Sequence, residues 1–207
     1  MNSKFFSLKP EKQELIINAA LKQFVKSGYE KASTNEIVKE AQISKGSLFN
    51  YFNNKKDLYL YLIDHACNVI ELIYDKIDMN ERDLFNRINQ VGFIKLKVQQ
   101  TYPLVFDFLI KIGEEQASEV KSDVEQVKAN MLKYGLDRIY ENIDWSKFRE
   151  DIDPEKALHI INWTMIGFAE AQKKKIVSFE NVGIELINEW NSYSEILKRC
   201  FYKEGEE

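Results

Sequence analysis

The stretch Ser33–Leu58, STNEIVKEAQISKGSLFNYFNNKKDL, decides how this chain folds. Ser33 followed by Glu36 is an S-x-x-E capping box, so a short helix opens at Thr34 with Ile37, Val38 and Ala41 as its apolar positions. Gln42-Ile43-Ser44 supplies a tight turn with one apolar anchor. Ser44 then caps a second helix from Lys45 to about Phe52, in which Leu48 and Phe52, four apart, form an inward face. That leaves Lys45, Gly46, Ser47, Asn50 and Tyr51 facing out: a cation, a small residue, a hydroxyl, an amide and a phenol, which suit phosphates and base edges in a DNA groove. Asn54, with Asp57 three residues on, caps a third helix whose first amides lie beside Lys55 and Lys56, a ready phosphate site.

Charge supports this reading once it is divided along the chain. The 207 residues carry a net charge of −4, but residues 1–56 hold ten Lys and five acids, net +5, and the remainder is net −9. A basic head on an acidic body repels DNA everywhere except at the head. With 44% apolar residues, eight Gly and three Pro, and long runs rich in Leu, Ile, Lys and Glu, the chain is expected to be all-α, with about nine helices. Its division is expected at residue 56: a three-helix helix-turn-helix domain over 1–56 and a larger helical domain over 57–207.

The helix before the quoted stretch starts at Pro10 and stops at Gly28, with Ile16, Ala20 and Phe24 on one face; residues 1–9 read as a loose arm. Beyond Lys55, helices are expected to about Ile77, over Leu84–Val98, over the apolar segment after Tyr102-Pro103, over Ser118–Asn142, and from Pro154, capped by Asp153, to Lys175. A last helix is expected over Phe179–Tyr202. The Pro154 helix is apolar on two sides, Leu158, Ile161, Met165 and Phe168 on one and Ile160, Trp163, Gly167 and Ala171 elsewhere, and so needs two partners. It and the last helix are the expected homodimer interface, packing against their copies as four helices.

The residues Gly28, Tyr29, Thr34, Ile37, Ala41, Ile43, Ser44, Gly46, Leu48, Phe49, Tyr51, Phe52, Lys55 and Leu58, at their spacing, resemble the TetR family of bacterial transcriptional regulators. With the preceding helix, the resemblance covers about a quarter of the chain. It implies DNA contacts by Thr34 and Asn35 at the start of the supporting helix, by Lys45, Gly46, Ser47, Phe49, Asn50 and Tyr51 in the recognition helix, and by Lys55 at a phosphate. Two positions depart from the family pattern: Gln42 stands where Gly is usual, and Phe49 where Tyr is usual. A left-handed backbone at Gln42 would cost about 1 kcal/mol, and Phe49 has no hydroxyl to give a phosphate.

The resemblance also implies a ligand in the body that changes the spacing of two heads on a palindromic operator. Among the body's many aromatic residues, Phe106, Trp163 and Phe168 are the candidates to line a pocket for a small apolar or amphipathic effector. The function so implied is a ligand-released repressor; a helical protein-interaction module that has lost specific DNA binding is the alternative, favoured by Gln42 and Phe49. Enzymatic motifs, phosphate loops and C-x-x-C pairs are missing, no cofactor is expected, and with two histidines a His-based site has little material. Cys67 and Cys200 fit no metal spacing, so free thiols are expected. No run approaches the ~20 apolar residues of a membrane span, and a cytoplasmic protein is expected.

Overall fold

The computed structural model describes residues 3–205. Among these, ten α-helices and two 3-10 turns carry the chain. They are α1 (Ser3–Phe6), α2 (Pro10–Lys31), α3 (Thr34–Glu40), α4 (Lys45–Tyr51), α5 (Lys55–Tyr74), α6 (Leu84–Thr101), α7 (Pro103–Glu114), α8 (Lys121–Tyr140), α9 (Pro154–Lys173) and α10 (Glu185–Phe201), with 3-10 turns at Trp145–Lys147 and Phe179–Asn181. Chain contacts gather residues 1–71 with 102–134 into one compact unit and 72–101 with 135–207 into another. The boundary expected at residue 56 falls inside the first of these.

Four helix starts follow the capping chemistry legible in the sequence. Ser33 Oγ accepts from the Glu36 amide at 3.4 Å, Ser44 Oγ from Ser47 at 3.0 Å, Asn54 Oδ1 from Asp57 at 2.8 Å and Asp153 Oδ1 from Glu155 at 2.9 Å. Gly28 interrupts α2 with φ 67°, a left-handed conformation that ends the regular helix before one further turn to Lys31.

Two expectations are corrected. Residues 3–6 of the expected loose arm form α1, held because Phe5 is wholly buried in an aromatic cluster. The last helix does not start at Phe179: Ser178 caps a 3-10 turn there, Val182-Gly183 follows, and α10 begins only at Glu185.

In the first unit, Ile16, Ala20, Leu21 and Phe24 of α2 and Ile37, Leu48, Phe52, Leu58 and Leu62 are all essentially without exposure. Phe24, Tyr59 and Phe108 pack ring to ring, Tyr59 standing edge-on at 4.9 Å from Phe24 and 5.4 Å from Phe108, so α2, α5 and α7 share one aromatic core. Glu115, just past α7, accepts the Tyr29 amide at 2.9 Å, a donor freed by the break at Gly28.

The second unit is built on Leu84, Phe85, Ile88, Ile139, Phe148, Ile161, Trp190, Phe201 and Tyr202. Phe148, in the polar loop before α9, enters this core and bridges to Tyr202 as an isolated antiparallel pair. The same unit buries a charge. Arg87 has no exposure, and its guanidinium donates to the carbonyls of Ile139 and Met79, at 3.4 and 3.3 Å, and to those of Glu141 and Glu81. Burial lowers its pKa, opposed by the carboxylates of Glu81, Asp78 and Glu141. The arginine thus ties the turn before α6 to the end of α8. Arg87→Ala strands four carbonyls without a donor and is expected to destabilise the protein by about 3 kcal/mol, read from urea unfolding; a loss below 1 kcal/mol would remove this role.

Candidate nucleic-acid interface

α3 and α4 meet through a turn whose geometry rests on one residue. Gln42 has φ 53°, the left-handed conformation that glycine adopts without strain. The turn holds because its carbonyls have a donor: Lys12 Nζ reaches from α2 to Ala41 O at 2.9 Å and Gln42 O at 3.1 Å. The Ile43 amide closes back to Val38 O at 3.0 Å. The departure from glycine therefore leaves the turn geometry in place, with a lysine bracing it that sequence reasoning did not single out.

α4 buries Leu48 and, at its end, Phe52, whose amide donates to Leu48 O at 2.9 Å. The opposite side is open. Lys45, Gly46, Phe49 and Asn50 are exposed, Ser47 and Tyr51 half-buried. Gly46 is not demanded by internal packing, since a Cβ there would meet only Ser44 Oγ at an ordinary 3.8 Å. The Ser47 hydroxyl pairs with Ser44 Oγ at 2.8 Å, so it serves the cap while lying on the outer face. At the start of α3, Thr34 is half-buried and Asn35 exposed. Nine residues singled out from the sequence thus fall on α3, α4 and the first turn of α5.

Lys55 is more constrained than expected. Its ammonium donates to Glu30 O at 3.0 Å and lies 4.8 Å over the Tyr29 ring. Neighbouring Lys56 donates to Glu119 O at 2.8 Å and pairs with Asp123 at 3.0 Å. Both lysines are thereby ordered at the start of α5, and each ammonium retains donor capacity for a phosphate.

The three aromatic residues expected to line an effector pocket are not gathered on one wall of either unit. Phe106 is buried in α7 of the first unit. In the second, Phe168 packs on Trp190 and Tyr193, ring centroids 5.5 and 5.8 Å away. Trp163 points the other way on α9, 68% exposed, its ring stacked on His159 at 5.8 Å. Ile160 and Ile166 on α9, and Tyr193 and Ile196 on α10, are likewise exposed. Cys67 and Cys200 are free thiols. Among the described residues no His, Cys, Asp and Glu group could hold a metal, and no helix is long and apolar enough to cross a membrane.

A basic three-helix head with a two-turn helix presenting cation, small residue, hydroxyl and amide defines a helix-turn-helix protein of the DNA-reading class. Comparison with known proteins agrees. Residues 16–62 match the family model "Bacterial regulatory proteins, tetR family". The uncharacterised HTH-type regulator YuxN of Bacillus subtilis is 46% identical over 55 residues, a match spanning 27% of this chain and 19% of that protein. The negative regulator IcaR of the Staphylococcus aureus biofilm operon icaADBC is 21% identical over 73% of this chain and 81% of that one. A TetR family regulator from Chloroflexus aurantiacus shares the fold over 98% of both chains, with TM-score 0.67 and 21% identity. Residues 16–62 thus carry the DNA-binding segment of the TetR family, and the curated proteins that resemble this chain are transcriptional regulators.

Because φ 53° is strained for a side chain and free for glycine, Gln42→Gly is expected to stabilise the protein by about 1 kcal/mol, read as a rise in Tm. A fall in Tm would show that the Gln42 side chain contributes more than its backbone costs.

Proposed function

We propose that the chain is a homodimeric, effector-responsive repressor acting in the cytoplasm. The observation that carries this reading is the outer face of α4: Lys45, Gly46 and Asn50 stand exposed on the basic part of the chain, on a helix whose inner face is fully committed to packing. Two such helices would enter successive major grooves of a palindromic operator, about 34–36 Å apart. Lys45, Tyr51, Lys55 and the helix starts contribute phosphate contacts and affinity; Ser47 and Asn50 read base edges; Thr34, Asn35, Gly46 and Phe49 shape the approach. Residues 1–56 carry these contacts, and 57–207 the effector and dimer functions.

The exposed apolar stripes of α9 and α10 support the dimer. Trp163, Ile160, Tyr193 and Ile196 are too large and too exposed to be left to water without reason, and burying them against a second copy completes the two-sided apolar pattern of α9. We assign Trp163 to this contact, and keep Phe106 and Phe168 as candidates for an effector wall. An effector that releases the operator must prefer the non-binding arrangement by ~5 kcal/mol to move the population from nearly all bound to nearly all free. Repression is favoured over activation because IcaR, which is similar over most of its length, is a negative regulator.

The test is fluorescence anisotropy against the DNA flanking the protein's own gene, with scrambled DNA as competitor at several salt concentrations. Lys45→Ala is expected to weaken specific and scrambled DNA alike and to reduce the salt slope by about one, whereas Asn50→Ala lowers discrimination among operator variants. Unchanged discrimination in Asn50→Ala would take base reading away from that residue. Trp163→Glu is expected to raise the dimer dissociation constant by about a hundredfold in sedimentation, on the scale of an interface hot spot, with helicity retained. A dimer of wild-type strength would move the interface off α9.

A further inference from the structure

α1 is the element that neither the repeat of apolar positions nor the helix-turn-helix pattern accounts for. It is four residues long, far too short to persist without tertiary contacts, and the structure supplies them at one point. Phe5 has no exposure. Its ring lies 5.0 Å from Phe52, 5.2 Å from Tyr61 of α5 and 6.0 Å from Tyr51, the last two edge-on. The short link to α2 is fastened as well: Leu8 N donates to Phe5 O at 3.1 Å, Ser7 Oγ to Lys4 O at 2.8 Å, and Gln13 Nε2 to Leu8 O at 2.9 Å.

We propose that Phe5 is a positioning residue for DNA reading: it wedges against the C-terminal end of α4 and sets the angle at which the recognition helix presents Asn50 and Tyr51. This rests on the DNA-binding reading of α4 above. α4 has seven residues, of which Leu48 is buried; the Gln42 turn joins its start to α3, and a second fixed point lies at its other end, where Phe52 also packs on Tyr61 of α5 at 5.4 Å. Phe5 supplies that second fixed point by touching both Tyr51 on the outer side and Phe52 on the inner side. Neighbouring Phe6 is 56% exposed, makes ring contact with Phe5 and Tyr61, and serves as the internal control.

A helix free to rock loses base contacts before it loses phosphate contacts, because phosphate attraction tolerates displacement and bidentate base contacts do not. The probe is the duplex that the full-length wild-type protein enriches from a random pool, compared with a scrambled duplex of equal length. Phe5→Ala is expected to lower the ratio of specific to scrambled affinity by about tenfold, the cost of one misplaced base contact, with scrambled binding and the salt slope within twofold of wild type. Phe5→Val lies between, Phe5→Leu restores the ratio to within about threefold, and Phe6→Ala leaves it unchanged; this graded series keeps the test open if the alanine variant fails to fold. Equal losses on both duplexes, or an unchanged ratio across the series, overturn the positioning role alone. A wild-type protein that enriches no duplex overturns it together with the DNA-binding reading.

Discussion

A helix of two turns cannot sustain itself in water, because nucleation fixes several residues for each hydrogen bond gained. α4 is such a helix, and the first unit is arranged around that constraint. Leu48 and Phe52 give it an inner face, Ser44 caps its start, and the left-handed turn at Gln42 holds it against α3. Two of those supports are themselves braced: Lys12 donates to the turn's carbonyls, and Phe5 packs on Phe52 at the far end. The outer residues can be polar because Leu48 and Phe52 on the inner side carry the burial.

The aromatic core of the first unit extends the same logic outward. Phe24, Tyr59 and Phe108 lock α2, α5 and α7 together, and Glu115 takes up the amide that the break at Gly28 leaves without a helical acceptor. Glu115 also accepts the amides of Gln116 and Ala117, at 3.0 and 2.8 Å, so one carboxylate finishes α7 and anchors the end of α2. Burial in this cluster raises the Tyr29 and Tyr59 pKa values well above the ordinary phenol, so both rings stay neutral across the physiological range. The second unit solves a different problem with Arg87, which replaces missing amide donors for four carbonyls at once.

Much of this was legible in the sequence because its causes are local. Capping boxes, the Gly28 stop, Pro at the first turn of α7 and α9, and the 3.6-residue repeat of buried positions depend on neighbours within four residues, so helix starts and inward faces could be read directly. The outward set of α4 followed by subtraction. The two apolar faces of α9 were legible for the same reason, and the structure separates them into an inner set with Ile161 and an outer set with Trp163.

What tertiary structure alone decided are contacts between residues far apart in the chain. Lys12 reaching Ala41, Glu115 reaching Tyr29, Lys56 reaching Asp123 and Phe5 reaching Tyr61 join positions separated by tens of residues, and no spacing rule encodes them. For that reason neither the helix at residues 3–6 nor the Glu30 carbonyl and Tyr29 ring that hold Lys55 has a local signal in the sequence. By itself the sequence determined most of the helical segments, the apolar side of each and the short helix whose outer residues suit a DNA groove, because those signals lie within a few residues of one another. The packing decided which long-range partners hold that helix at its angle, because burial and hydrogen-bond satisfaction are settled only when distant segments compete for the same space.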